Sequence, residues 1–145
     1  PDALATLLAY DDARAGAILN APHSGYQRLE GDDLVLIMDA GAPPPPDFSA
    51  EAHAGALSFE LSARGHRIVV NCGAPGQNGA LREASRLTAA HSTLTLGERS
   101  SALVPYEAGG RDWMEGHIIV GPSPIAARRL DDEEACSVEA THDGY

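Results

Sequence analysis

The sequence predicts a mainly β domain preceded by short helices. Its 145 residues and 43% apolar content are sufficient for one hydrophobic core. The 15 glycines and 10 prolines interrupt the chain often, which favours short strands over long helices. Alternating apolar residues recur from residue 24 onward, whereas helical spacing is confined to the first twenty residues. These observations indicate one small domain.

Each predicted element follows from local patterning. Leu4, Leu7 and Leu8 share one helical face, and a second short helix is expected over residues 13–19, ending before Pro22. The next segments alternate as strands and are separated by turn-forming residues. We expect one hairpin from residues 26–29 and 34–39, a second from 54–61 and 67–72, and further strands at 86–96, 116–120 and 137–141.

The second hairpin places one histidine on an apolar surface. Alternation along residues 54–61 puts His53 on the same face as Leu57 and Phe59. A glycine-rich loop at residues 74–80 follows this hairpin, without the spacing of a phosphate-binding loop. The chain ends directly after a predicted strand, so we expect it to be a fragment of a longer protein.

The charge balance excludes nucleic acid as a partner. The net charge is −11, and the ten basic residues are all arginines, whereas phosphate binding needs basic residues clustered on one surface. Only residues 54–99 are net positive, with five arginines against three acidic residues. No apolar run approaches the roughly 18 residues of a membrane span, so we expect no membrane-spanning segment in this sequence.

The cysteines and histidines leave several chemistries open. Cys72 and Cys136 form no CxxC motif, and either a disulfide or two separate buried thiols fits them. If the predicted strands are neighbours, His53, Asn71 and His91 converge, as metal ligands or as a hydrogen-bonded core cluster. A cupin-like metal site using His53, Glu60 and His91 is weaker, because His53 and Glu60 point to opposite faces of one strand.

Three ordered segments resemble the β-domain of the heparinase II/III-like family. They are EAHAGALSFEL at residues 51–61, IVVNCG at 68–73 and RLTAAHSTL at 86–94, and the closing HDGY is similar as well. The resemblance implies an N-terminal (α/α) toroid that is missing from this chain. Residues 1–22 would then be a helical connector, and residues 23–145 an antiparallel β-sandwich that is truncated at its C-terminal end.

The resemblance also implies a chemistry. Lyases of this family cleave acidic, uronic-acid-containing polysaccharides by β-elimination, commonly in the periplasm, and this chain without its toroid is expected to be inactive. By position, Glu51 occupies the place of a catalytic histidine, and His53, Asn71 and His91 occupy the metal positions. Asn71 replaces an aspartate, so a structural zinc ion would be bound more weakly. Gly55 replaces a further aspartate.

Two arginines are candidates for substrate binding. Arg82 and Arg86 lie in the net-positive stretch before His91, and a guanidinium suits carboxylate or sulfate recognition. The alternative is that they pair with nearby carboxylates.

A second functional hypothesis is a glycan-binding or structural β-domain without lyase chemistry. An open sheet edge left by truncation would also favour a homodimer.

Overall fold

The computed structural model describes residues 16–75, 79–106, 115–132 and 134–145. Six strands and one α-helix form its regular structure: β1 (Tyr26–Glu30), β2 (Leu34–Asp39), β3 (Phe59–Ala63), β4 (His66–Val69), α1 (Gly79–Arg86), β5 (Ile125–Asp131) and β6 (Cys136–His142). All strand pairs are antiparallel. The predicted fold class, mainly β and antiparallel, is therefore confirmed, and the sandwich arrangement stays a prediction.

The larger sheet contains both predicted hairpins in the order β1-β2-β3-β4. Its first hairpin pairs Glu30 with Val35, which leaves a short turn over residues 31–33 between the two strands. The turn between β3 and β4 uses Arg64 and Gly65, with φ values of 50° and 75°, which is the left-handed geometry that a tight hairpin turn requires. β4 forms one edge of this sheet, and dimerisation through it stays a prediction.

The smaller sheet consists of β5 and β6, of which only β6 was expected. β5 lacks apolar alternation, since alanine and arginine fill its centre. Its Arg129 joins the two sheets, because Nη1 donates to the carbonyl of Arg28 in β1 at 2.9 Å and to that of Leu19 at 3.2 Å. A buried part of this side chain thus fixes the small hairpin beside the edge of the larger sheet.

Three predicted strands are wrong in part or whole. Residues 86–96 contain no strand among the named elements: α1 ends at Arg86, and a 3-10 helix spans Thr88–Ala90. Helical propensity accounts only for Arg86, the last residue of α1. Beyond it, the alternation that begins at Leu87 belongs to a 3-10 helix and not to a strand. The segment 116–120 supplies only an isolated bridge, from Val120 to Leu103.

The strand predicted over residues 54–61 begins only at Phe59. Residues 49–58 before it form a turning segment without regular structure, in which Leu57 has a left-handed φ of 58°. The backbone N–H of Leu57 donates to the carbonyl of Asp39 at 2.8 Å. His53 therefore lies on a turning segment and not on a strand face, so its predicted placement beside Leu57 and Phe59 is wrong.

Other local expectations fare differently. Residues 16–19 are not helical, and the remainder of both predicted N-terminal helices lies outside the described residues. Both cysteines are free, and Cys72 is exposed, so neither the disulfide nor a buried Cys72 is found. No helix in the described ranges is long and apolar enough to cross a membrane.

The core beneath the turning segment is small and partly polar. Ala54, Ala102 and Ile118 form its apolar cluster. Thr88 is fully buried, and its hydroxyl donates to the carbonyl of Ala54 at 2.6 Å. The hydroxyl of Ser49, also fully buried, accepts the backbone N–H of Ile118 at 2.7 Å. These bonds fix the segment that carries Glu51 and His53.

Candidate functional site

A cleft of about 410 Å³ opens where the end of β2 meets the turning segment and the loop after α1. Its volume is in the range of about 300–1,000 Å³ that is typical of small-molecule pockets. The polar side chains on its walls include Tyr26, Asp39, Glu51, His53, Asn71 and His91. The structure therefore brings together the predicted catalytic position and all three predicted metal positions.

The two histidines of this cleft contact each other directly. Nδ1 of His53 lies 3.1 Å from Nε2 of His91, and the rings meet edge to face at 85°. Because one of two hydrogen-bonded imidazole nitrogens must carry the proton, only the other retains a lone pair. Burial lowers the pKa of His53, and the neighbouring His91 and Arg86 lower it further. His53 is therefore disposed to be neutral.

The side-chain oxygen of Asn71 is hydrogen-bonded to the loop that follows His91. Its Oδ1 accepts the backbone N–H of Ser92 at 2.8 Å and the Ser92 hydroxyl at 3.0 Å. Ser92 Oγ in turn accepts the N–H of Phe59 at 3.1 Å, at the start of β3. The amide oxygen at the family's aspartate position thus helps to hold the loop against the sheet.

A zinc centre with three protein ligands would have to displace these contacts. One facing imidazole nitrogen is protonated, and the Asn71 oxygen is committed to Ser92. Over the described parts of the chain, no group of three or more His, Cys, Asp and Glu side chains is arranged to hold a metal ion. Glu60 of the cupin-like alternative accepts the backbone N–H of Asn71 at 3.2 Å and does not line the cleft. Zinc binding stays a prediction.

Glu51 is paired with one of the predicted substrate-binding arginines. Its Oε1 accepts a hydrogen bond from Nη2 of Arg82 at 2.5 Å, and the same Nη2 donates to the carbonyl of Ala50 at 3.0 Å. The hydrogen bond and then the charge of Arg82 hold the pKa of the exposed Glu51 carboxyl below its usual range. A general base needs a pKa near the working pH, so this pairing weakens Glu51 as a base.

Arg86 is buried against the same segment. Only 1% of its surface is exposed. Its Nε donates to the carbonyl of Ala52 at 2.7 Å, and its Nη2 donates to that of Ser49 at 2.9 Å. Neither Arg82 nor Arg86 lines the cleft. Their donors hold the backbone around Glu51, and substrate binding by either stays a prediction.

Gly55 lets the ring of His91 approach the backbone. A Cβ at position 55 would lie 2.9 Å from Cδ2 of His91 and 3.2 Å from Oγ of Ser58, closer than van der Waals contact allows. The aspartate typical of the family would therefore not fit beside His91 in this arrangement. The two departures from the family pattern thus lie near each other in the fold: Gly55 faces the His91 ring, and Asn71 bonds the next residue, Ser92.

Sequence reasoning missed two residues of the cleft, Tyr26 and Asp39. They are register partners at the open end of the first hairpin. Oδ1 of Asp39 accepts the backbone N–H of Gly41 at 3.1 Å, and burial raises the pKa of its carboxyl. The charge of Asp39 is the main cause of a raised pKa at Tyr26. Their register in the predicted hairpin was the available signal.

Comparison with known proteins agrees with the sequence motifs. The model of the family described as heparinase II/III-like, C-terminal, matches residues 13–145. FtsZ-localized protein C of Caulobacter vibrioides (strain NA1000 / CB15N) is 32% identical over 146 residues, which cover 100% of this chain and 25% of that protein. The chain thus spans about a quarter of the length of this relative. No solved structure matches it. The chain belongs to the heparinase II/III-like family and corresponds to its C-terminal domain.

Proposed function

We propose that this domain is a glycan-binding β-domain that does not carry out lyase chemistry. The observation that carries the proposal is the pairing of Glu51 with Arg82 at the family's catalytic position. β-Elimination requires a base for the C5 proton and a positive group near the uronate carboxylate. An ionised Glu51 is a weak base and has the wrong charge for the second task.

The residues at the family's metal positions are also engaged in hydrogen bonds within the protein. His53 and His91 are bonded to each other, and Asn71 is bonded to Ser92. The groups that would hold an ion or face a substrate instead stabilise the walls of the cleft. The cleft itself remains open and lined with polar side chains. An open polar cleft whose groups at the family's catalytic and metal positions are paired favours binding over turnover.

Binding and turnover are separable by experiment. We expect the full-length protein to bind oligosaccharides from a panel of neutral and uronic-acid glycans in isothermal titration calorimetry. The same preparation should yield no unsaturated product in an ultraviolet absorbance assay with uronic-acid glycans. Unsaturated product that disappears in Glu51→Gln would overturn the proposal, and so would the absence of binding to every glycan.

Family membership favours a second candidate, a lyase that acts on an acidic polysaccharide. In this version a preceding toroid supplies most of the catalytic groups, Arg82 and Arg86 contact the substrate, and the protein works in the periplasm. Glu51→Gln should then abolish turnover by the full-length protein. A signal sequence in the gene and fractionation of the protein with the periplasm would support this candidate.

A third candidate, a structural domain, is favoured by one relative. The Caulobacter relative is named for its localisation with FtsZ, and its similarity extends over the whole of this chain. In this candidate, the full-length protein has neither lyase activity nor glycan affinity and localises with FtsZ in its own cells. Fluorescence microscopy of a tagged protein beside labelled FtsZ tests this, and a diffuse or separate signal would exclude it.

A further inference from the structure

Tyr26 and Asp39 form a part of the cleft that the family's catalytic and metal positions do not use. Tyr26 begins β1 and Asp39 ends β2; they are register partners, and both line the cleft. Tyr26 is 47% exposed, whereas Asp39 is half-buried. Within the described parts of the chain, neither the Tyr26 hydroxyl nor Oδ2 of Asp39 has a hydrogen-bond partner. An aromatic ring and a carboxylate oxygen are thus free to contact a ligand.

The backbone holds Asp39 in place from three sides. Its N–H donates to the carbonyl of Ser58 at 2.8 Å, its carbonyl accepts the N–H of Leu57 at 2.8 Å, and Oδ1 accepts the N–H of Gly41 at 3.1 Å. Leu57 adopts a left-handed φ of 58°, a conformation that costs energy for a leucine. A strained turn that fixes a carboxylate at the wall of a cleft is typical of a preorganised binding site.

The charge of the cleft disfavours an acidic sugar. Asp39 and Glu51 are its acidic side chains, and Arg82, which pairs with Glu51, does not line it. The histidines are bonded to each other. The described lining includes no arginine, so a uronate carboxylate would face Asp39 without a guanidinium in direct contact.

We propose that this cleft recognises a neutral saccharide, with the Tyr26 ring against the C–H face of a sugar and the Asp39 carboxylate accepting its hydroxyl groups. The inference rests on the proposed glycan-binding function and adds the class of sugar and two contact residues. Neutral hydroxyls donate to a carboxylate without charge repulsion, and such charge-assisted bonds are stronger than neutral ones. The flat apolar body of a tyrosine also provides contact area with little loss of side-chain entropy.

Calorimetry on the full-length protein tests the inference. The probes are neutral oligomers of glucose, mannose, galactose and N-acetylglucosamine, and oligomers of glucuronate and mannuronate. We expect at least one neutral series to bind and the uronates to bind about tenfold more weakly or not at all. Asp39→Asn and Tyr26→Ala should each weaken neutral binding by about tenfold or more. Tyr26→Phe should stay within about threefold of wild type, because it keeps the ring.

Asp32→Asn in the β1–β2 turn is the matched control, since it removes a carboxylate at the other end of the same hairpin. It should leave binding unchanged, and circular dichroism checks that every variant is folded. Uronates that bind as tightly as neutral sugars would overturn the inference and leave the glycan-binding function intact. Neutral binding that survives both Asp39→Asn and Tyr26→Ala would also overturn it. If no glycan of either class binds, both proposals fail.

Discussion

Nδ1 of His53 lies 3.1 Å from Nε2 of His91, so the two histidines at the family's metal positions bind each other. The bond joins the turning segment to the loop after α1, which are 38 residues apart in sequence. Asn71 makes a second link through Ser92. Side-chain hydrogen bonds therefore connect here the elements that a metal ion would otherwise connect.

Restoring the family aspartate should restore affinity for zinc. Asn71→Asp adds a formal charge and a second oxygen, so bonds to Ser92 need not use every acceptor of the side chain. We expect zinc affinity to rise by about tenfold or more, measured by calorimetry on metal-stripped protein. Adding His91→Gln to this variant should remove the gain. An unchanged zinc affinity in Asn71→Asp would mean that the three positions do not converge on one ion.

The pairing of Glu51 with Arg82 predicts an acid-sensitive contact. The pKa of Glu51 is lowered by the hydrogen bond and charge of Arg82, so the pairing stabilises the fold above the unfolded pKa. That contribution is lost as the pH falls through the folded pKa. Nuclear magnetic resonance titration of carbon-13-labelled glutamate should find the Glu51 pKa below the ordinary value of a glutamate. In Arg82→Gln, the Glu51 pKa should rise back to that ordinary value. An unshifted pKa in wild type would contradict the pairing.

Arg86 should contribute to stability far more than an exposed arginine. Arg86→Met leaves the carbonyls of Ser49 and Ala52 without these donors in a buried site, which costs about 3 kcal/mol of unfolding free energy. Arg64→Gln is the control, because Arg64 and its partner Asp33 are both exposed, at 82% and 70%, and such pairs contribute little. Urea denaturation measures both variants, and similar losses would show that the Arg86 bonds are not structural.

Gly55→Ala should destabilise the cleft by overpacking. The added Cβ would lie 2.9 Å from the His91 ring. The ring must therefore move, which is expected to cost about 1–3 kcal/mol of unfolding free energy. Gly79→Ala is a matched control, since a Cβ there meets nothing within 4 Å at the start of α1. The control should be neutral or slightly stabilising. Equal thermal midpoints for the two variants would contradict the close contact.

The sheet was predictable from local patterns, whereas the cleft was not. Alternation and turn residues located β1 to β4, because hairpins depend on contacts close in sequence. The same alternation failed over residues 87–96, where the chain forms a 3-10 helix and turns whose side chains bond to segments distant in sequence. Motif similarity grouped His53, Asn71 and His91, and all three line the cleft. It did not predict that Asn71 would bind Ser92, because that bond depends on where a distant loop lies.

Replacing Asp39 by asparagine should stabilise the fold at neutral pH. Burial raises the pKa of Asp39, so the folded state favours the protonated form, and ionised Asp39 costs stability above the folded pKa. The cost disappears as the pH falls below the unfolded pKa. Asp39→Asn keeps an acceptor for the N–H of Gly41 and should raise the thermal midpoint by a few degrees at pH 7.

The advantage of Asp39→Asn should shrink as the pH is lowered, because wild type is then protonated at this site. Scanning calorimetry at several pH values measures it, with Asp32→Asn as a control whose midpoint follows wild type. A lower midpoint for Asp39→Asn at neutral pH would show that the charge itself stabilises the cleft. If the expected gain is observed together with weaker sugar binding, the carboxylate reduces stability and supports recognition at the same position.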